Sequence, residues 1–460
     1  MGPGGFRAPA AINRSQRPNR LTGPIGTTGQ GSAHDSSDLG RRHRPDYWLI
    51  ILCLLMLTIG LIVVYAISPA LSEAAGTSQT HYVTKQLVAI GLSLVAFIAM
   101  AKIPLHVIRR FAKPLLVLAG IATLIALITP VNPLYPAHRW VRFGGFSFQS
   151  VELLKFAILI AAAGFLADRA SKGLLGDFKA TIKPLLIALG ILVVVVAGPS
   201  AVRAQSDLGS TAVILAMLTT MAFVAGMPLR KLALGAGILV IGITLVVLPS
   251  DYRRARLASF MSPEQNCQQA AGYQACQALI AVGSGGLAGL GLGRSVQAYG
   301  YLPEAANDSI FAIYAEKFGF IGTTVLLGIM AAFFSRIKNI AERAPDVFSR
   351  LVAIGVLAWL SVQAIINVGA MIGLLPLKGI TLPFISYGGT SVVFAAAAVG
   401  VVFQISYYTA MRAPRVTRDD VQNNQTKQGG RRNDDSQNSG HDGRRQRGAY
   451  HPNPGSRARA

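Results

Sequence analysis

The dominant pattern in this sequence is a series of long apolar segments separated by short polar ones. About 20 apolar residues are needed for a helix to cross the hydrocarbon core of a bilayer, so each such segment is a candidate transmembrane helix. The segments are 48–67, 86–101, 114–129, 152–167, 184–198, 207–226, 232–249, 310–334, 350–373 and 385–409. The predicted fold is an all-α integral membrane protein with about ten transmembrane helices. The short spacing between 184–198 and 207–226 leaves counts of nine or eleven open.

Composition supports a membrane protein. Hydrophobic residues make up 52% of the chain and charged residues only 14%, whereas soluble domains usually contain about 25% charged residues. A soluble helical core is disfavoured, because so many consecutive apolar segments leave too few polar faces to cover them. A disulfide scaffold is excluded because three cysteines cannot cross-link 460 residues.

The charges in the connecting loops predict the orientation of the helices. Lys and Arg are concentrated in alternate connections, at 102–113, 169–183, 230–231 and 336–350, and in both chain ends. With ten helices, all of these lie on one side of the membrane, which the positive-inside rule makes cytoplasmic. The pattern therefore favours ten helices, cytoplasmic termini and a large extracytoplasmic loop, residues 250–309, between helices 7 and 8.

Two basic tails flank the predicted membrane domain at 47–410. Residues 1–46 and 411–460 are rich in polar residues and glycine, and they contain too little apolar surface to offset their chain entropy. We therefore expect both tails to be disordered. They hold about half of the net charge of +23, which predicts attraction to anionic lipid or to protein partners. Nucleic-acid binding is not predicted.

Several cations occur in outer loops, against the topological bias. They are Arg139, Arg142, Arg203, Arg253, Arg254, Arg256, Arg294 and Lys378. Any one of them could be attracted to lipid phosphates at the outer surface. For the set as a whole, we favour binding of an anionic ligand such as a pyrophosphate.

Polar side chains within the apolar segments indicate a cavity. Glu152 and Lys155 are three residues apart at the outer end of the fourth segment, and Gln363 and Asn367 are four residues apart in the ninth. Each pair shares one helix face, and ionisable groups at this depth usually face a cavity or a partner. A self-neutralising structural pair is the alternative for Glu152 and Lys155.

The segment between the last two helices is predicted to be re-entrant. Pro376 and Pro383 prevent a regular helix there, and a helix start rich in hydroxyl groups and glycine follows. Its members are Ser386, Tyr387, Gly388, Gly389 and Ser391. Irregular backbone at membrane depth is tolerated only where protein or a water-filled cavity covers it, so we expect this segment to line a cavity.

The large outer loop contains three further features. Its glycine-rich stretch, residues 283–295, matches no nucleotide-binding fingerprint and is predicted to be a close-packed loop that admits a bulky ligand. Asp308 either caps the next helix or acts as a general base at the outer surface. Cys267 and Cys276 form a disulfide if their compartment is oxidising, or remain free thiols. The histidines are scattered, and no residue is assigned as a metal ligand.

Three motifs in this order resemble the SEDS (shape, elongation, division and sporulation) family of bacteria, and its division members more than its elongation members. They are GYQACQALIAVGSGGLAGLGLGRS, YLPEAANDSIFAIYAEKFG and LLPLKGITLPFISYGGTS. The resemblance implies a ten-helix glycosyltransferase that polymerises lipid II, an undecaprenyl-pyrophosphate-linked disaccharide pentapeptide, into peptidoglycan. It also implies a class B penicillin-binding protein transpeptidase and other divisome proteins as partners. The implied location is the septum of the bacterial cell membrane.

The resemblance also assigns individual residues. Asp308 aligns with the family's essential loop aspartate, and Arg139-Trp140 align with its Arg-Trp pair. Glu152 and Lys155 align with the acidic and basic residues of its Q-P-S-E-x-x-K motif. The chain departs from the family at three motifs, which here are Gln149-Ser150-Val151-Glu152, Asn307-Asp308-Ser309 and Glu316-Lys317-Phe318-Gly319. Each keeps the ionisable residue that is expected to act and changes its neighbours.

The favoured hypothesis is an inverting glycosyl transfer on the outer face. Asp308 would deprotonate the acceptor hydroxyl, while Arg139, Lys378 or a divalent cation, Mg²⁺ or Mn²⁺, would stabilise the leaving pyrophosphate. The residues expected to shape the cavity or bind substrate are Glu152, Lys155, Arg139, Glu304, Gln363, Asn367, Lys378, Ser386, Tyr387, Gly388, Gly389 and Ser391.

Three other functions remain open. They are an elongation-type polymerase for cell shape, a lipid II flippase and a scaffold without activity. A flippase should have a polar path in both halves of the membrane, whereas the unusual residues here cluster at the outer side.

Overall fold

The computed structural model describes residues 40–42, 44–129, 140–143, 146–198, 205, 207–247 and 270–410, and positions 254, 258, 260–261 and 267–268. These residues form twelve α-helices and four short strands. The helices are α1 Tyr47–Ala74, α2 His81–Lys102, α3 Leu105–Arg110, α4 Ala112–Ile128, α5 Ser150–Ser171, α6 Lys183–Leu192, α7 Leu208–Ala225, α8 Leu229–Val247, α9 Ala270–Ser284, α10 Ile310–Glu342, α11 Val347–Met371 and α12 Gly389–Ile405. Single π-helical turns, Phe178–Ile182 and Val193–Ala197, extend α6 at both ends.

All ten predicted membrane segments coincide with helices, so the predicted fold class is confirmed. Seven helices are long and apolar enough to span a bilayer: α1, α2, α5, α6 with its π-turns, α7, α10 and α11. Helices α4 and α12 are shorter and apolar, and α8 corresponds to the seventh predicted segment. The chain is therefore a multi-pass membrane protein with an all-α architecture.

Two predicted segments differ from the helices that form. The segment 310–334 lies within α10, but Gly319 has non-helical dihedral angles (φ 63°, ψ −164°) that divide this helix. Residues 310–317 before the break are buried, whereas Phe320 and Ile321 after it are exposed. The segment 385–409 begins too early, since α12 starts at Gly389, after an extended Gly388.

Helix α11 is the centre of the bundle. It packs against α5, α7, α9, α10 and α12, and α5 and α11 are the most deeply buried of the long helices. Helix α2 packs chiefly on α12 and leaves most of its apolar side chains exposed, as expected of a helix that faces lipid. Buried polar side chains on α5 and α11 therefore lie inside the protein.

The start and the end of the membrane domain meet. Strand β1 (Gly40–Arg42) pairs antiparallel with β4 (Tyr408–Ala410), and the backbone N–H of Asp46 donates to Ser406 Oγ at 3.1 Å. Arg336, near the C-terminal end of α10, forms an ion pair with Asp46 at 3.7 Å. Because residues 40–46 and 406–410 lie together on one side of the bundle, the number of crossings between them is even.

The other two strands lie immediately before α5. Strands β2 (Trp140–Phe143) and β3 (Phe146–Gln149) form a hairpin that leads directly into Ser150, the first residue of α5. The prediction that the whole of 1–46 is disordered is wrong at residues 40–42, because their backbone pairs with β4 to form β1. Residues 1–39, 43 and 411–460 lie outside the described residues, and their disorder remains a prediction.

Candidate active site

Asp308 lies in the loop just before α10, at the opposite end of that helix from Arg336 and its partner Asp46. Its half-buried side chain lines a small cleft together with Asn367 and Met371 of α11, and Lys378 and Gly379 of the following segment. The N-cap residue of α10 is Ser309. The alternative prediction, that Asp308 caps this helix, is therefore wrong. The predicted base and a predicted cation therefore line the same cleft.

Asn367 joins the two walls of this cleft. Its Nδ2 donates to the backbone carbonyl of Asp308 at 2.7 Å and to that of Ile380 at 2.6 Å. One buried amide thus links the loop before α10 to the segment after α11. Asn367, which the sequence predicts to contribute to the cavity, therefore lies at the junction of the two walls.

Gln363 makes the corresponding junction one turn earlier in α11. Its Nε2 donates to the Thr381 carbonyl at 2.9 Å, and its Oε1 accepts from Trp359 Nε1 at 2.9 Å and from Lys155 Nζ at 3.2 Å. Trp359 and Thr381 were absent from the predicted site. The spacing of four residues between Trp359, Gln363 and Asn367 is the sequence signal that identifies Trp359.

Glu152 and Lys155, both on α5, form a buried ion pair on the side of α5 that faces α11. Lys155 Nζ lies 2.8 Å from Glu152 Oε1, and 5.1 Å from the centroid of the Trp359 ring. Both side chains are almost fully buried, and buried charges persist where they are paired and hydrogen-bonded. The pair is therefore self-neutralising, and Lys155 also links it, through Gln363, to the helix face that holds the cleft.

The irregular segment after α11 contributes Lys378, Gly379 and Ile380 to the cleft. Ser386, Tyr387 and Ser391 make other contacts. Ser386 Oγ accepts from the backbone N–H of Leu382 at 2.7 Å.

Tyr387 links this segment to the Asp308 loop. Its backbone N–H donates to Ala306 at 2.8 Å, and its ring packs on Tyr82 of α2. The hydroxyls of Ser391 and Thr381 lie 3.0 Å apart. Gly388 is the N-cap of α12, and Gly389 is exposed. In this structure these residues fold the segment and fix its position.

Glu304 shapes the turn that holds Asp308. It is exposed and adopts a left-handed conformation (φ 52°), and its carboxylate accepts a hydrogen bond from the Asn307 side chain. Its carbonyl accepts from the backbone N–H groups of Asn307 and Ser309. Arg139, the other predicted outer-loop ligand, lies outside the described residues, and Trp140 next to it begins β2.

Glu316 anchors the outer loop to α10. Its buried carboxylate accepts hydrogen bonds from Ser295 Oγ at 2.5 Å and from the backbone N–H groups of Val296 (2.7 Å) and Gln297 (3.1 Å). Lys317 Nζ donates to the Leu292 carbonyl at 2.6 Å. Glu316 and Lys317, in one of the motifs where the chain departs from the family, therefore bind the outer loop to α10.

The glycine-rich stretch packs against the break in α10. Leu290 and Gly291 donate to the carbonyls of Glu316 and Lys317, and Phe320 donates to the carbonyl of Gly286. A Cβ at Gly289 would lie 2.2 Å from the Lys317 carbonyl oxygen. The predicted close packing is confirmed. However, the neighbour of these glycines is the backbone of α10, whereas the prediction was that the loop would admit a bulky ligand.

Cys267 and Cys276 form a disulfide, which selects one of the two predicted states. Cys276 is in α9, so the bond ties this helix to the chain before it. Within the part of the chain that the structure describes, no three His, Cys, Asp or Glu side chains cluster to form a metal site.

Comparison with known proteins places the chain in one family. Residues 47–411 match the family model for FtsW, RodA and SpoVE, described as "Cell cycle protein". The stage V sporulation protein E of Bacillus subtilis is 35% identical over 370 residues, which cover 80% of this chain and 99% of that protein. A probable peptidoglycan glycosyltransferase FtsW of Coxiella burnetii is 35% identical over 369 residues, covering 79% and 96%.

Solved structures have the same fold. A chain of a peptidoglycan synthase complex matches with a TM-score of 0.63 at 24% identity, over 79% of this chain and 97% of that one. The rod-shape-determining protein RodA of Thermus thermophilus matches with a TM-score of 0.55 at 23% identity, over 79% and 96%. The resemblance found in the sequence motifs is confirmed: the chain belongs to the FtsW/RodA/SpoVE family of cell cycle proteins.

Proposed function

We infer that this chain is a peptidoglycan glycosyltransferase that polymerises lipid II on the outer face of the bacterial cell membrane. The observation that supports this most strongly is the cleft that Asp308 and Lys378 both line, at the C-terminal end of α11 and at the opposite end of α10 from Asp46. Relatives that share about a third of the sequence are named peptidoglycan glycosyltransferases. The cleft supplies the two functional groups that such a transfer needs.

In the proposed reaction, a sugar hydroxyl of the acceptor attacks the anomeric carbon of the donor. The new C–O bond forms as the bond between the donor sugar and its lipid pyrophosphate breaks, and the hydroxyl proton passes to the Asp308 carboxylate. General-base assistance of this kind accelerates a reaction by about 10²–10⁴-fold. The activated donor supplies the driving force, so no nucleotide is required.

The leaving pyrophosphate gains negative charge as the bond breaks. The Lys378 ammonium group, in the same cleft, is positioned to stabilise that charge. A bound Mg²⁺ or Mn²⁺ would add further stabilisation. Among the described residues, no three His, Cys, Asp or Glu side chains cluster to hold such an ion, so no step of the reaction is assigned to it.

The amides of α11 hold this arrangement in place before substrate binds. Asn367 bonds the carbonyls of Asp308 and Ile380, and Gln363 bonds Thr381 and Lys155. Both walls of the cleft are therefore attached to one buried helix. Such preorganisation keeps reacting groups close to the geometry that they need, and small displacements reduce rates substantially.

We further propose a division role at the septum, with both termini cytoplasmic and a class B penicillin-binding protein and other divisome proteins as partners. The division-type relatives support this choice, as does a structural neighbour from a complex that combines polymerisation with crosslinking. The sporulation relative and the RodA neighbours make sporulation and elongation roles the alternatives.

Purified full-length protein incubated with lipid II tests the proposal. A polymerase yields glycan strands that a gel resolves, either alone or with a class B penicillin-binding protein added. In liposomes, a flippase instead makes lipid II accessible on the opposite leaflet and yields no strands. Transport without strands under both conditions would overturn the proposal.

A further inference from the structure

Gln274, on helix α9 in the outer loop, reaches the Asp308 carboxylate. Its Nε2 lies 3.4 Å from Asp308 Oδ1 and 3.0 Å from Ser309 Oγ, and the side chain is half-buried. Nothing in the local sequence distinguishes this glutamine from Gln268, Gln269 and Gln277 nearby. Its importance follows only from the fold, which packs α9 against α10 and α11.

We propose that Gln274 is a positioning residue that orients the carboxylate of Asp308 for proton transfer. This inference rests on the proposed function of Asp308 as the base. It adds a second element, α9, to those that position this aspartate.

Hydrogen-bonding chemistry determines which end of the amide faces Asp308. The hydroxyl of Ser309 donates to the carbonyl of Pro303 at 2.9 Å, so it accepts from Gln274. An ionised carboxylate only accepts. Both neighbours therefore require the NH₂ group of Gln274, since the amide oxygen in its place would face two acceptors.

The distance between Gln274 Nε2 and Asp308 Oδ1 can shorten when substrate binds. A distance of 3.4 Å is long for an N–H···O bond, and catalytic hydrogen bonds often shorten only when substrate binds. The shorter bond to Ser309 holds the amide within reach of Asp308. Ser309 itself is fully buried as the N-cap residue of α10, so this anchor is rigid.

The helix that carries Gln274 is itself held from two directions. The disulfide between Cys276 and Cys267 ties α9 to the chain before it, two residues beyond Gln274. On the other side, α9 packs on α10 and α11. The amide donor is thus presented by a helix that a disulfide and packing on α10 and α11 both hold in place.

The pH dependence of catalysis separates positioning from simple folding. A hydrogen bond to the ionised carboxylate favours that form, so removing the donor makes Asp308 easier to protonate. The active, ionised form is then lost at a higher pH as the pH falls. Lys378 is the other charged group lining the described cleft. It is present in the wild type and in the variants, so it does not account for a difference between their pH profiles.

The experiment measures lipid II polymerisation by full-length Gln274→Leu over a range of pH, with Gln277→Leu as the matched control from the next turn of α9. For Gln274→Leu we expect kcat to fall about tenfold, KM to stay within about twofold, and the acidic limb to move up by about one pH unit. Gln277→Leu should keep the wild-type profile. Unchanged kcat and pH profile in Gln274→Leu would overturn the proposal.

Gln274→Glu covers the case in which the leucine variant fails to fold. A second carboxylate beside Asp308 should move the acidic limb to still higher pH, and a profile like that of the wild type would refute positioning by Gln274. If the wild type itself makes no strands, the proposed function fails instead. The two failures are therefore distinguishable.

Discussion

At the scale of single residues, a buried ion pair in α5 supports the site without lining its cleft. Lys155 lies between Glu152, Gln363 and the Trp359 ring. Each partner comes from α5 or α11, the two most buried helices. Lys155 therefore links the ion pair in α5 to α11, the helix whose Asn367 contacts the Asp308 loop.

Removing one charge of this pair should be much worse than removing both. Lys155→Met leaves the Glu152 carboxyl group without its partner in the interior, at a cost of about 3–5 kcal/mol of folding free energy. In the double variant with Glu152→Gln, most of that loss should be recovered. Thermal unfolding in detergent across the double-mutant cycle measures the coupling, and additive losses would contradict the ion pair.

Some of these residues can be identified from the sequence, and others cannot. Gln363, Asn367, Glu152 and Lys155 are conspicuous because polar groups are rare within apolar helices. Gln274 lies on α9 in the outer loop, where a second glutamine, Gln277, follows three residues later and the sequence does not mark either as functional. The link between Gln274 and Asp308 depends on how α9 docks, which no local pattern determines.

At the scale of elements, the divided helix α10 and the glycine-rich stretch form one unit. The break at Gly319 leaves backbone groups without helical partners, and residues 286–291 supply them. Glu316 then fixes residues 295–297, and Asp308 lies between this point and the start of α10. The loop that holds Asp308 is thus fastened at both ends to the same helix.

Gly289→Ala should disrupt this unit. The residue has φ 83°, and a Cβ would come within 2.2 Å of the Lys317 carbonyl oxygen, so we expect a loss of at least about 2 kcal/mol. Gly283→Ala is the matched control, because its Cβ would meet nothing within 4 Å. Hydrogen exchange across residues 285–309 reports the loosening, and equal protection in both variants would contradict it.

Sequence patterns predict the existence of α10 but not its break. The residues 310–334 are continuously apolar enough for one helix, and Glu316-Lys317 is the only local irregularity. The family resemblance predicts that the ionisable residue of the motif Glu316-Lys317-Phe318-Gly319 acts in the reaction. In the structure, Glu316 and Lys317 bind the outer loop. Their actual partners, Ser295 and Leu292, lie about twenty residues earlier and become neighbours only through the folded loop.

At the scale of the whole molecule, hydropathy and charge together predict the architecture well. The ten apolar segments all become helices because the bilayer requires each span to satisfy its own backbone. The pairing of β1 with β4 requires an even number of crossings. The positive-inside rule predicts a direction for this arrangement, with the ends of the membrane domain inside and the Asp308 loop outside.

Cysteine labelling tests that direction. In a Cys53→Ala background, Tyr299→Cys places an exposed thiol in the outer loop, and Lys172→Cys places one at the opposite end of α5 from Ser150. A membrane-impermeant maleimide added to intact cells should label position 299 and spare position 172. The reverse pattern would place the cleft in the cytoplasm and contradict an outer-face polymerase.

The central claim is that Asp308 is the base of a lipid II polymerase, and its most direct test is one substitution. Asp308→Asn keeps the shape of the side chain and removes its ability to accept a proton, so polymerisation by purified protein should fall by at least about 10²-fold. Asp177→Asn, at an exposed turn before α6, should leave the rate unchanged. Strand synthesis by Asp308→Asn at the wild-type rate would contradict the account.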